Sequence, residues 1–301
     1  MVVHGDGMKG TVMDMEDLVL SDIQTITIYV GKDMVQKTIS LSTLHGILKG
    51  DYVIKVFGFK TYFLRELEGF KRFLSNPIIG IPYQNTMIYG VEIVTSTETI
   101  YFVINRKCKE TIADISMSFP EWKRFVIDIL SQLVQLQKRN IAHGDIKLDN
   151  IMKCKKYQLI DWENSRELDY DGLKQKRFFG LSPMYFQILY GSAWYPTFSL
   201  ALLKYYKETG GTTEYANGMI SYYSDMFQRY TPREVFEKTK YSLDVGALGF
   251  ILDGMNPPKR YHTFIHSMYK MTAKEALTQF KKINQTRRWH EDFSINTLPK
   301  Y

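Results

Sequence analysis

The sequence predicts an α+β chain, with a small β-rich N-terminal part and a mostly helical C-terminal part. Two patterns predict it. β-branched and aromatic residues concentrate in short runs before residue 105, at 23–30, 51–57, 87–95 and 99–105, as strands require. Beyond that point apolar residues recur at helical spacing, above all Trp122, Phe125, Val126, Ile129, Leu130 and Leu133. A chain of 301 residues that is 45% hydrophobic has the apolar content for two packed lobes or one large domain.

Residues 1–22 are rich in Met, Gly and Asp without a clear period and are expected to be a mobile leader. Ordered structure is expected to begin at Ile23, where Ile23 to Val30 alternates as a strand does and Val35 to Leu44 continues in β-branched residues. Lys55 then sits inside the strongly apolar strand 51–57, a costly place for a cation without a negative partner. The next segment, Tyr62 to Leu74, places Phe63, Leu67, Phe70, Phe73 and Leu74 at helical spacing before Asn76-Pro77 stops it. Of its two glutamates, Glu66 is the expected partner of Lys55, because Phe70, Phe73 and Leu74 share its side of the helix; Glu68 would bring Lys71 and Arg72 inward. Pro120 opens a further helix that ends at Lys138-Arg139-Asn140.

The run His143-Gly144-Asp145-Ile146-Lys147-Leu148-Asp149-Asn150 follows, and Asp161-Trp162-Glu163 comes after a short polar hairpin and the apolar Gln158-Leu159-Ile160. Phosphoryl transfer from ATP needs a group to orient the attacking hydroxyl, a cation near the transferred phosphoryl and hard oxygen ligands for magnesium. Asp145, Lys147, and Asn150 with Asp161 are of those types, in that order. The tripeptide His-Gly-Asp alone carries no weight, since it also occurs at His4-Gly5-Asp6 without the rest.

Together these stretches resemble the catalytic and magnesium loops of the eukaryotic-type protein kinases. Lys55 and Glu66 resemble that family's strand lysine and its helix glutamate. Asp244, within Ser242 to Leu252, resembles the aspartate that ties down the catalytic loop from a buried helix. Gly180 to Tyr185 resembles the end of an activation segment, Met271 to Leu277 the last helix, and Ile104 with Asn105 to Lys107 the adenine-binding hinge. The short chain and its reshaped C-terminal part are similar to serine/threonine kinases of large cytoplasmic DNA viruses. That resemblance implies a bilobal protein-kinase-like fold, with an N-lobe over 23–104, a C-lobe over 105–301 and a hinge near 104–108. It also implies ATP and Mg2+ (or Mn2+) as cofactors, protein substrates, and residence in host cytoplasm and virion.

Four departures from the family pattern matter. The glycine-rich phosphate loop is expected to be missing, since Gly31 precedes Lys55 but Asp33 and Gln36 stand where further glycines belong. Gly144 replaces an arginine that clamps phosphorylated activation segments, which implies constitutive activity. Trp162-Glu163 replaces Phe-Gly, removing a hinge, and the spacing around Asp244 is altered. Two rival readings remain. Small-molecule kinases of the aminoglycoside or choline type share His-Gly-Asp and Asp-Trp-Glu but usually carry His where Lys147 stands. A pseudokinase scaffold would fit an eroded phosphate loop.

The formal charge of +7 is dispersed, which indicates a mildly basic solvated surface and does not point to nucleic acid. No apolar run is long enough to span a membrane and the N-terminus lacks a signal-peptide pattern, so no membrane insertion and a soluble, intracellular chain are expected. Cys108 and Cys154 are the only cysteines and are expected to be free thiols.

Overall fold

The computed structural model describes residues 3–7, 10–14, 18, 21–73, 79–108, 110–112, 115–175, 211–285 and 294–295. They belong to two compact units, residues 1–108 and 109–301. The first is β-rich and the second mainly helical.

The first unit is an antiparallel sheet made of β1 (Val3–Gly7), β2 (Gly10–Asp14), β3 (Ile23–Val30), β4 (Val35–Ile39), β5 (Tyr52–Phe57), β6 (Ile81–Tyr83), β7 (Thr86–Thr95) and β8 (Thr99–Arg106). Its order is β1-β2-β5-β8-β7-β3-β4, with β6 paired to β7. Alternate residues of the central strands, among them Ile28, Ile54, Val91, Ile93, Phe102 and Ile104, are fully buried on one face. Two sequence expectations change here. The segment expected to be a mobile leader supplies β1 and β2, because Thr11 to Asp14 pair with Val56 to Val53 and satisfy the free edge of β5. The strand run expected to reach Leu44 stops at Ile39, where Ser40 turns the chain by accepting a hydrogen bond from Thr43 N and caps α1 (Leu41–Ile47).

Helix α2 (Lys60–Arg72) lies on the sheet through Phe63, Leu67 and Phe70. Gly90 of β7 permits the approach: a Cβ there would come within 2.7 Å of Phe63 and 2.9 Å of Leu67. Phe63 packs edge-on against Tyr29, with ring centroids 5.1 Å apart.

The second unit is organised around α3 (Phe119–Lys138), whose apolar stripe from Trp122 to Leu136 is buried. Ser118 and Glu121 form a reciprocal capping box at its start, and Lys153 sits 2.9 Å from Glu121. Glu121→Ala should lower stability by about 1 kcal/mol at neutral pH, read as a shift in thermal midpoint. The Lys153 ammonium and the two Ser118 hydrogen bonds depress the Glu121 carboxyl to about 2. Its contribution is therefore complete above the ordinary carboxylate range and lost as pH falls through about 2, so the two proteins should converge in acid.

Short strands β9 (Glu110–Thr111) and β10 (Met117–Ser118) precede α3, and β11 (Ile141–Ala142), β12 (Ile151–Lys153), β13 (Tyr157–Leu159) and β14 (Arg166–Glu167) follow it, β11 pairing with β14 and β12 with β9 and β13. Helices α4 (Tyr170–Gln175), α5 (Thr213–Arg229), α6 (Pro232–Thr239), α7 (Leu243–Gly254), α8 (His262–Ile265) and α9 (Ala273–Gln285) follow, with β15 (Ser294–Ile295). Helix α7 is buried along nearly its whole length, as a helix apolar on every side must be. Phe280 of α9 packs on Trp122 of α3 at 5.6 Å. Helices α5 and α6 account for part of the stretch 185–240 that has no sequence assignment, and Tyr223 is core there. The 180–185 segment and Tyr205-Tyr206 lie outside the described residues.

Both cysteines are disulfide-bonded, which corrects the expectation of free thiols.

Candidate active site

Within the first unit, Lys55 occupies the middle of β5, between Val12 on β2 and Val103 on β8. Its ammonium lies 3.2 Å from Glu66 Oε2. Glu66 is 2% exposed and Lys55 14%, so the pair is held largely out of water. Glu68, the other glutamate of α2, is 53% exposed and faces Lys71 and Arg72 instead. A buried carboxylate fixing a strand lysine presents a directed cation suited to an anionic ligand.

The register of β1 and β2 brings out a motif that sequence reasoning missed. Gly7 pairs with Gly10 and Gly5 with Val12, and the amino-acid sequence over these positions is Gly5-Asp6-Gly7-Met8-Lys9-Gly10-Thr11-Val12. This is the G-x-G-x-x-G-x-V spacing, in which missing side chains let backbone N–H groups approach phosphate. Val12 is directly opposite Lys55, so the hairpin belongs to the strand next to the lysine. Sequence reasoning did not weigh this spacing when it expected the phosphate loop to be missing. Gly31, the glycine considered for that role, instead turns the chain between β3 and β4 at φ +71°. The spacing itself was the available signal. His4-Gly5-Asp6 drew attention as a failed copy of the catalytic tripeptide when its glycine belonged to a different pattern.

Within the second unit, the loop after α3 is anchored from below by Asp244. Its Oδ2 accepts from His143 N at 2.7 Å and its Oδ1 from Gly144 N at 3.2 Å. Gly144 has φ +82°, a backbone state that an arginine would occupy only with strain. The His143 ring is fully buried; its Nδ1 accepts from Asp145 N at 3.4 Å and its Nε2 then donates to Ile160 O at 3.0 Å. Those two contacts require the neutral tautomer protonated at Nε2 and tie the 143–150 loop to the strand that delivers Asp161. Trp162 packs edge-on against the same ring at 4.8 Å.

Above this base, Asn150 Nδ2 donates to both Asp145 O and Asp145 Oδ2, each at 2.9 Å. Lys147 Nζ approaches the same Oδ2 at 3.2 Å. Oδ1 of Asp145 therefore remains as the acceptor, and Asn150 keeps its amide oxygen for another ligand. Burial acts to lower the Lys147 pKa, but the carboxylates of Asp145, Asp161 and Asp149 outweigh it and hold the value above the ordinary lysine range. Lys147 is thus a cation at every physiological pH.

Asp161 sits in the left-handed region, at φ 62° and ψ 73°, just before the single helical turn Trp162–Asn164. For a non-glycine residue this is uncommon, and the neighbouring hydrogen bonds maintain it. Arg166 donates to the carbonyls of Glu163 and Ser165 at 2.7 and 2.6 Å, closing the turn. Gln132 of α3 holds the preceding strand, accepting from Leu159 N and donating to Tyr157 O. Glu163 is buried, and one of its carboxylate oxygens lies within 4.8 Å of one of Asp161. Sequence reasoning gave Glu163 no role, although its position two residues after Asp161 was visible. The neighbouring carboxylates of Asp161 and Glu163 are hard oxygen donors of the kind Mg2+ or Mn2+ prefers, and Asn150 has an amide oxygen of the same type.

No described helix is long and apolar enough to cross a membrane. No protein-family model matches this chain, and no curated protein matches it either.

Proposed function

We propose that this chain is a serine/threonine protein kinase of the viral type it resembles, with its two units forming the lobes of a kinase-like fold. The observation that carries the reading is the convergence of Lys147 and Asn150 on one oxygen of Asp145 while Asp244 holds the loop beneath them. In this reading Asp145 Oδ1 takes the hydrogen bond, and then the proton, of the substrate hydroxyl. Lys147 offsets the negative charge on the transferring phosphoryl. Lys55, braced by Glu66, orients the ATP phosphates beneath the Gly5–Gly10 hairpin backbone. Asn150 and Asp161, with Glu163 beside them, would hold Mg2+ or Mn2+, which supplies charge neutralisation at the phosphate oxygens.

A second reading, small-molecule phosphotransfer, is favoured by one observation, the carboxylate of Glu163 held beside Asp161. Lys147 favours a protein substrate. The scaffold reading loses its main support, since the glycine spacing that was counted as eroded is present on β1 and β2.

The deciding experiment is transfer of radiolabel from ATP in the presence of Mg2+, offered to a panel of basic and acidic proteins alongside an aminoglycoside and choline. Label on protein Ser or Thr is the expected result, and Lys55→Met should reduce it about 100- to 1,000-fold. Label confined to a small molecule would transfer the chain to the second reading. ATP binding without any transfer would make it a scaffold.

A further inference from the structure

We infer that Glu214, His262 and His266 form a transition-metal site that binds Zn2+ and ties the start of α5 to α8. The inference is independent of the phosphotransfer reading, and all of its residues lie in the second unit.

His262 and His266 stand one helical turn apart, with His266 N donating to His262 O at 2.8 Å. Their rings stack with planes 6° apart and centroids 6.2 Å apart. Each ring has its Nε2 engaged: that of His266 lies 2.9 Å from Asp253 Oδ1, and that of His262 lies 3.1 Å from Pro257 O. A carboxylate and a peptide carbonyl only accept, so in both rings Nε2 carries the hydrogen and Nδ1 of the neutral imidazole carries the lone pair. Metal-binding histidines are oriented in this way, the far nitrogen donating to a carboxylate or a backbone carbonyl.

The residues behind His266 are fixed. Asp253, near the end of α7, is 7% exposed and accepts from Thr212 N at 2.7 Å through its other oxygen. Tyr215 is fully buried, donates to Gly246 O at 2.9 Å and packs edge-on against His266 with centroids 5.7 Å apart.

Glu214 supplies the anionic ligand. Its Oε1 lies 3.6 Å from His266 Nδ1, too long for a hydrogen bond. Two ligand atoms on one tetrahedral zinc ion are roughly 3.3 Å apart, given Zn–N and Zn–O bonds of about 2 Å. The pair therefore stands close to ligand spacing already. His262 is exposed and completes the set by turning its Nδ1 toward the ion, which brings the two ring centroids to roughly 5 Å. The fourth position is left to water. Two imidazoles and one carboxylate select Zn2+, and likewise Co2+, over the harder Mg2+.

The test titrates the full chain with Zn2+ by calorimetry at neutral pH in excess Mg2+, so that clusters of carboxylates alone take the harder ion. It is repeated with Co2+, whose visible absorption reports tetrahedral ligation. The expected result is uptake of about one Zn2+ per chain, with a tetrahedral Co2+ spectrum that Zn2+ abolishes. His266→Ala should weaken uptake at least about 100-fold, and Asp253→Asn, which loosens the imidazole it orients, about 10- to 100-fold. Glu214→Gln keeps the fold, because the side chain is 82% exposed, and should weaken uptake at least about 10-fold. Circular dichroism checks the fold of each variant. The inference is overturned by an absence of Zn2+ uptake, by uptake that His266→Ala or Glu214→Gln leaves unchanged, which would place the ion on other residues, or by a Co2+ spectrum without tetrahedral bands.

Discussion

Asp145→Asn is expected to lower phosphoryl transfer about 100- to 10,000-fold while leaving the melting temperature nearly unchanged. The amide is the same size as the carboxylate and can still accept the hydrogen bond from Asn150 Nδ2, so the loop keeps its shape. What it loses is the basic oxygen that takes the hydroxyl proton and the charge that attracts Lys147 from 3.2 Å. Steady-state kinetics with ATP and a protein substrate test this directly. A loss in kcat with little change in KM for ATP is expected; wild-type turnover would remove Asp145 from its assigned role. Asn is the more informative replacement than Ala, because Ala would also release Asn150.

Asp244→Ala carries the larger expected cost in stability. Its two carboxylate oxygens are the acceptors for the buried amides of His143 and Gly144, and the residue is 6% exposed. Removing it leaves two buried donors without that acceptor, at about 1–3 kcal/mol each, and frees the loop at its tightest point. A melting point lower by about 5–15 °C is expected, together with a fall in kcat measured well below the melt. Asp244→Asn separates the two effects: it restores one acceptor but turns an NH2 group toward the other amide, so stability should recover only in part. A variant that melts with the wild type would show that the loop is held by other contacts, with the His143 ring as the first candidate.

Chemistry carried by neighbours in sequence was legible before any fold. Asp145, Lys147 and Asn150 lie within one loop, so their meeting follows from local geometry, and the structure brings all three onto one another. Lys55 inside an apolar strand required a counter-charge, and the apolar period of α2 selected Glu66 over Glu68. Helix α3 was readable from its stripe and from Pro120. Each of these depends on residues within a few turns of one another.

The misread parts share one physical cause, which is pairing across long stretches of chain. Gly5, Gly7 and Gly10 depress strand propensity, so the first residues look structureless until β2 finds the edge of β5. Only that pairing makes the glycine spacing meaningful. Asp244 lies about a hundred residues from the amides it holds, so its residue type could be read by resemblance but its hydrogen bonds could not. The sequence by itself determined which side chains could do chemistry, because local periodicity and residue type suffice for that. The tertiary structure decided which backbone stands beside Lys55, what supports the loop of Asp145 and whether the thiols are free, because those depend on contacts whose closure no local pattern encodes.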